Sequence, residues 1–292
     1  MGFRERCQQA CDHGFMNSVS RDTLQRRARA AVNRLNRHRV YRARHGIGRG
    51  FLQVGGVGLV LPTRLSAISG FVRHDAEERF LRQLPLEGSR IYDVGAFRGV
   101  TTLFFARNAG PTGHVVAFEP HPQSCRCIRR HLDLNGIANV TLRNVAVGAA
   151  AGELELIGPQ GGDGTTSGNA AIQRLTADRA SHTERRSVPV VSIDDEVRSY
   201  DLSVPDFIKI DVEGMELDVL RGMRETIARW RPRLFVEIHG VGDQAKRENA
   251  ANVVALMTEH GYALHHVESD RKVTIATSDR SSEGHLYCDP IA

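Results

Sequence analysis

Short apolar runs that end in an acid or break into glycine alternate along this chain with stretches whose apolar residues recur at helical spacing. The first clear unit is Ile91-Tyr92-Asp93-Val94-Gly95-Ala96-Phe97-Arg98-Gly99, a strand that turns through glycines into a periodic run from Val100 to Ala106. His114 to Phe118 is a second apolar strand, closed by Glu119-Pro120. A helix from about Pro122 to Leu134, stopped by Asn135-Gly136, leads to a third strand over Val140 to Val147. Two later strands, one running from Pro205 into Asp211-Val212-Glu213-Gly214 and one from Leu234 into Glu237-Ile238-His239-Gly240, also end in acids or enter glycine. This alternation predicts an α/β fold with a doubly wound, mostly parallel sheet and right-handed crossovers. Ala245 to Glu259 reads as an amphipathic helix, followed by a closing antiparallel pair, Tyr262 to Val267 and Lys272 to Ala276.

The regular pattern is interrupted in four places. Residues 1–50 form an arginine-rich arm, expected to be helical because Leu24, Ala28, Ala31, Val32 and Leu35 recur at helical spacing. Residues 51–87 read as a hairpin and a helix, about Asp75 to Gln83, that deliver the chain to a core domain over 88–277. Gly152 to Ile157 reads as an alternating strand paired with what precedes it, and Val188 to Val191 as a short strand. Between them the Gly- and Thr-rich segment 158–187 is long for a connection in such a domain, and reads either as a lid over a ligand or as a plain insertion. Residues 278–292 read as a polar tail.

Charge sharpens the view of the arm. Residues 1–50 hold twelve arginines against Glu5, Asp12 and Asp22, an excess of nine, so the net charge of +5 leaves the remaining residues at −4. Such an arm can cap the core domain, rest on an anionic membrane or follow a nucleic-acid backbone. Capping is the default, membrane contact comes next, and nucleic acid is disfavoured because the arm has few aromatics to stack bases. The five cysteines, Cys7, Cys11, Cys125, Cys127 and Cys288, contain no C-x-x-C pair, which opposes both a disulfide framework and a zinc module. Cys7, Cys11 and His13 are read as residues of an N-terminal helix rather than as a metal set. Without a secretory signal or a spanning run, a cytoplasmic protein is expected.

The glycine turn selects among nucleotide-like ligands. A dinucleotide fingerprint needs G-x-G-x-x-G to cradle a pyrophosphate, whereas the spacing here is Asp93-x-Gly95-x-x-x-Gly99, with a carboxylate that would repel phosphate. That opposes a nicotinamide oxidoreductase and suits a cofactor with an ammonium and a sulfonium, S-adenosyl-L-methionine. Glu119 lies about 20 residues after Gly99, the offset at which an acid reaches a ribose diol. Asn144 either bonds the adenine edge or caps its strand end locally. Downstream, Asp211 and Glu213 end the strand expected beside the first one, and Glu237 and His239 project to one face of the next.

Tyr92-Asp93-Val94-Gly95-Ala96-x-x-Gly99, Ala117-Phe118-Glu119-Pro120, Asn144-Val145-Ala146-Val147-Gly148, Val188-Pro189-Val190, Ile208-Lys209-Ile210-Asp211-Val212-Glu213-Gly214-x-Glu216 and Pro232-x-Leu234-x-x-Glu237-Ile238-His239 together resemble the FkbM family of S-adenosylmethionine-dependent methyltransferases, over roughly residues 88–270. The resemblance implies a Rossmann-like class I methyltransferase fold, with a C-terminal antiparallel strand, that methylates hydroxyls on sugars, glycolipids or natural products. Asp93, Gly95, Ala96, Gly99, Glu119, Pro120, Asn144 and Ala146 are placed at the cofactor. Asp211 and His239 are the candidate bases, Asp211 only if desolvation raises its basicity, with Glu213 and Glu237 orienting the base or the substrate. For Glu213 the charge of a helix N-terminus explains the residue equally well. No metal is assigned, since the spacing of Asp211, Glu237 and His239 is compatible with an ion but not distinctive. The competing function is a non-catalytic protein that binds nucleic acid or membrane through its basic arm.

Overall fold

The computed structural model describes residues 51–54, 57–60, 76–159, 183–199 and 202–291. β1 (Phe51–Val54) and β2 (Val57–Val60) form a two-stranded sheet, and α1 (Ala76–Leu81) follows. Next come β3 (Arg90–Val94), α2 (Val100–Ala109), β4 (His114–Phe118), α3 (Pro122–Asn135), β5 (Val140–Arg143), β6 (Ala146–Val147), β7 (Gly152–Pro159) and β8 (Thr183–Val191). The remainder holds α4 (Ile193–Ser199), β9 (Phe207–Ile210), α5 (Glu216–Arg221), α6 (Arg224–Trp230), β10 (Arg233–Glu237), α7 (Gly242–Glu259), β11 (Tyr262–His266), β12 (Arg271–Val273), a 3-10 turn (Ile275–Ser281) and β13 (His285–Pro290).

Eight strands make one sheet in the order β12-β11-β13-β10-β9-β3-β4-β5. β5, β4, β3, β9 and β10 run parallel, while β13 lies antiparallel between β10 and β11. The chain leaves β3 toward β4 on one side and returns to β9 on the other, so the order reverses between β3 and β9. Loops at the carboxyl ends of these two strands diverge there and leave a crevice.

The central strands are apolar on both faces because helices cover both. Ile91, Phe207 and Phe235 pack with Phe104 and Phe105 of α2, while Tyr92, Ile208 and Leu234 pack with Val219, Ile227 and Val254 of α5, α6 and α7. The register agrees, since Ile91 lies opposite Phe207 and Tyr92 opposite Ile208. Near-continuous apolar strands are what a parallel sheet buried on both sides demands. Helix ends follow local chemistry too. α3 starts at Pro122, where a missing N–H costs nothing, and ends at left-handed Gly136.

Four expectations are corrected. β7 pairs with β8 rather than with what precedes it, in unbroken register from Gly152 opposite Val190 to Pro159 opposite Thr183. Residues 158–159 and 183–187 of the expected lid are therefore strand, and residues 160–182 lie outside the described residues. β12 ends at Val273, and Ile275 already belongs to the 3-10 turn, whose Thr274 and Thr277 cap each other. The expected polar tail is in fact β13, a strand inside the sheet with Leu286 and Cys288 fully buried. Its apolar positions are too few and too close to serines, Glu283 and Gly284 to stand out in sequence. The arm over 1–50, with Cys7, Cys11 and His13, lies outside the described residues, as do 61–75. Burial pushes the thiols of Cys125 and Cys288 up to about 12, so neither is a thiolate near neutral pH.

The position of β13 has a measurable consequence. Leu286→Ala removes a fully buried side chain from the middle of the sheet and is expected to lower the unfolding free energy by about 2–5 kcal/mol. Ile291→Ala, at a residue 59% exposed, is expected to leave it within about 0.5 kcal/mol. Equal urea midpoints for the two variants would contradict a strand buried at this place.

Candidate active site

The crevice is built from the loops after β3, β4 and β9, with β6 and β7 along one side. Gly95, Phe97, Glu119, Pro120, Ala146, Leu154 and Leu156 line it together with Asp211, Glu213 and Met215. Glycine is required at 95: φ is +85°, and a Cβ there would stand 1.8 Å from the Asp211 carbonyl oxygen. That close approach brings the ends of β3 and β9 together, and the Asp211 N–H donates to the Val94 carbonyl at 3.0 Å.

Glu119 is almost fully buried and holds the loops around it. Its Oε2 accepts from the Phe97 N–H at 2.8 Å and its Oε1 from the His121 N–H at 2.7 Å. The first bond fixes Phe97 in the left-handed region, φ +48°. Burial pushes the Glu119 carboxyl up to about 8, against the pull of the two backbone donors. Each carboxylate oxygen retains a second lone pair for a hydroxyl.

Four of the expected cofactor residues, Gly95, Glu119, Pro120 and Ala146, line the crevice, and four do not. Asp93 is fully buried beneath the glycine loop, where its Oδ2 accepts from the Thr102 hydroxyl at 2.6 Å. Its place in the strand interior, rather than on the crevice wall, follows from the inward side of β3. Its Oδ1 has no hydrogen-bond partner among the described residues, and burial raises its pKa. Ala96 and Gly99 shape the loop from behind, Ala96 within the core beside Ile128. Asn144 spends its amide on backbone, donating to the Glu119 and Pro120 carbonyls at 2.9 Å each, which favours the local reading over the adenine edge.

At one end of the crevice the loops after β9 and β10 gather Asp211, Glu213, Glu237 and His239. The imidazole Nε2 lies 3.8 Å from Asp211 Oδ1, 3.8 Å from Glu213 Oε2 and 3.6 Å from Glu237 Oε1. Its Nδ1 lies 2.9 Å from Oε1 of Glu216, a residue with no exposed surface. Glu216 also accepts from the Gly214 N–H at 2.9 Å and the Asn249 amide at 2.7 Å. Burial alone would lower the His239 pKa, but Glu216 and the surrounding carboxylates raise it to about 9. Asp211 differs from its expectation: burial pushes its carboxyl up, yet Lys209, fully buried with Nζ 2.8 Å from Asp211 Oδ2, holds it below the usual range. Desolvation therefore does not make Asp211 more basic. Burial raises the Glu213 pKa, and its backbone is left-handed at φ +53°.

Several residues that matter here carried no sequence expectation. Glu216 stands in the quoted motif but without a role, because only the fold brings it under His239. Asn249, which donates to Glu216, is likewise known only from the fold, and Lys209 stands in the same motif without a role. Leu154 and Leu156 reach the crevice through β7, and their alternation was the one available signal.

A doubly wound sheet with a glycine loop and acidic strand ends at its switch point, closed by an antiparallel strand, is the fold of the class I methyltransferases, enzymes that take their methyl group from S-adenosyl-L-methionine. The donor set suits that cofactor: the crevice offers the carboxylates of Glu119, Asp211 and Glu213 beside apolar walls, and among the described residues that line it there is no Lys or Arg to meet a phosphate. The chain belongs to the family of the methyltransferase FkbM domain, whose model matches residues 93–264. It is 28% identical over 153 residues to Methyltransferase 1 of Beauveria bassiana, covering 47% of this chain and 59% of that protein. It is 27% identical over 208 residues to the AMB antimetabolite synthetase AmbE of Pseudomonas aeruginosa, covering 60% of this chain and 9% of AmbE. The chain thus spans less than two thirds of either relative. A methyltransferase FkbM from Methylobacillus flagellatus superposes with a TM-score of 0.47 at 20% identity, covering 74% of this chain and 48% of that one. Among the described residues, no helix is long and apolar enough to cross a membrane.

Proposed function

We propose that the protein methylates a hydroxyl group, on a sugar, glycolipid or natural product, with S-adenosyl-L-methionine as donor. The observation that carries this reading is a single crevice lined by Glu119 and the glycine loop together with Asp211 and Glu213. A cofactor whose ribose meets Glu119 supplies a methyl group on an electron-poor sulfur. An alcohol is a poor nucleophile until its proton leaves, and the acid-rich end of the crevice supplies acceptors for that proton. Glu213 is the base in this scheme: of the two candidate bases, Asp211 lines the crevice but is ion-paired with Lys209, and His239 is not among the lining residues, whereas Glu213 is. As the acceptor oxygen bonds to the methyl carbon and the sulfur–carbon bond breaks, the hydroxyl proton passes to the Glu213 carboxylate. Glu216 holds His239, and Lys209 holds Asp211, so that the polar end of the crevice keeps one arrangement.

The test is calorimetric titration with S-adenosylhomocysteine, followed by transfer of labelled methyl from S-adenosylmethionine to a panel of hydroxylated sugars, glycolipids and phenols. Glu119→Gln is expected to weaken S-adenosylhomocysteine by about 1.5–3 kcal/mol, roughly 10- to 100-fold. Glu213→Gln is expected to lower kcat by about 100- to 10,000-fold and to leave that affinity unchanged. Wild-type protein that binds no S-adenosylhomocysteine would remove the reading. Glu213→Gln retaining full kcat would move the base elsewhere.

A further inference from the structure

We propose that Asp211, Glu237 and His239 bind one divalent cation of the magnesium or manganese type at the end of the crevice. This rests on the methyltransferase reading only for its purpose, which is to draw the acceptor oxygen onto the ion beside Glu213. One donor atom from each of the three residues lies within 4.8 Å of the others. Their spacing is informative. The carboxylate oxygens stand 3.6 Å and 3.8 Å from His239 Nε2, beyond the 2.7–3.2 Å of a hydrogen bond. Around an ion with bonds of about 2.1 Å, neighbouring donors sit roughly 3 Å apart and opposite donors roughly 4.2 Å apart. The two separations from Nε2 exceed the neighbouring value, so the carboxylates close by roughly half an ångström or more to take adjacent positions on an ion.

The groups behind the three donors point the same way. Each carboxylate has one oxygen addressed from behind and its other oxygen turned toward Nε2. For Asp211 the rear group is Lys209, 2.8 Å from Oδ2, which leaves Oδ1 toward the imidazole. For Glu237 it is His285, whose Nε2 lies 3.5 Å from Oε2, leaving Oε1 forward. His285 is 7% exposed, and its Nε2 completes no hydrogen bond among the described residues. The third donor is held by Glu216, whose contact with Nδ1 turns Nε2 toward the oxygens. A buried carboxylate on the far nitrogen of an imidazole is the usual support of a metal-binding histidine. Two carboxylate oxygens and one imidazole favour a hard or borderline ion over one that prefers thiolate.

No bond is broken in this binding. The ion takes lone pairs from Oδ1, Oε1 and Nε2, displaces any proton on Nε2 to solvent, and keeps its remaining positions for water or the acceptor oxygen. Glu213 stays outside the donor set and keeps its place as base.

The experiment uses the full chain, stripped with a chelator and titrated with manganese chloride while the electron paramagnetic resonance of free manganese is followed. The expected result is uptake of one manganese per chain, weakened by about 10- to 100-fold in Glu216→Gln and by at least that much in Asp211→Asn, Glu237→Gln and His239→Gln. Circular dichroism identifies any variant that fails to fold, and the near-isosteric Asp211→Asn and Glu237→Gln give two independent readings of the donor set. No uptake by the wild type, or uptake unchanged in the folded donor variants, overturns the proposal. S-adenosylhomocysteine binding is measured on the same samples by calorimetry. Manganese uptake without it would support the ion site and overturn the methyltransferase reading, so the two failures are distinguishable.

Discussion

Gly95→Ala is expected to abolish S-adenosylhomocysteine binding and to lower the melting temperature by roughly 6–12 °C, the equivalent of about 3 kcal/mol in a domain of this size. Two costs combine at this residue. A non-glycine residue held at φ +85° is strained by about 1–3 kcal/mol. The new Cβ would also meet the Asp211 carbonyl oxygen at 1.8 Å and its carbon at 2.8 Å, and both belong to backbone that cannot rotate away. The ends of β3 and β9 must then separate, and with them the lining residues Gly95 and Asp211. Gly136→Ala is the control, because Gly136 has φ +59° and nothing within 4 Å of its Cβ position. It is expected to cost only about 1–2 kcal/mol and to leave binding intact. If the two variants melt together, the close approach of β3 and β9 does not set the crevice.

The second large effect is expected at Glu216. Glu216→Ala leaves His239, the Gly214 N–H and the Asn249 amide without their shared acceptor in a place with no exposed surface. Loss of one partner from a buried charged network costs about 3–5 kcal/mol, so the urea midpoint should fall well below that of the wild type. Glu216→Gln keeps one carbonyl acceptor and the volume, and should recover a large part of the stability. An alanine variant within about 0.5 kcal/mol of wild type would mean that the network is not formed in solution.

Much of the architecture was legible because its signals are local and repeated. Strand β3, its glycine turn and α2 announce themselves in consecutive residues, as do β4 with Glu119 and β9 with Asp211. Asn135-Gly136 stops α3 where a left-handed residue was needed. What could not be read depended on residues distant in sequence. β13 hides because four residues of alternation cannot outweigh a polar neighbourhood, and its partners β10 and β11 are known only once the sheet is assembled. The same holds at the site. The pattern of acids after β9 and β10 is visible in sequence, but that Lys209 and Asp211 form a buried ion pair follows only from the helices and strands that cover them. Asp93 is placed at the cofactor by its motif, while its bond from the Thr102 hydroxyl is known only from the fold.

The place of β13 also bears on how the chain folds as it is made. The strand enters between β10 and β11, so the sheet has a gap in its middle until residues 285–290 have left the ribosome. Until then β10 and β11 each carry an unpaired edge, the kind of surface that recruits other chains. His285 travels on this strand and sets the rear of Glu237, so the acid-rich end of the crevice is completed last. A nascent chain that stalls shortly before residue 285 would therefore be both aggregation-prone and inactive, although nearly all of its Rossmann-like half has already been synthesised.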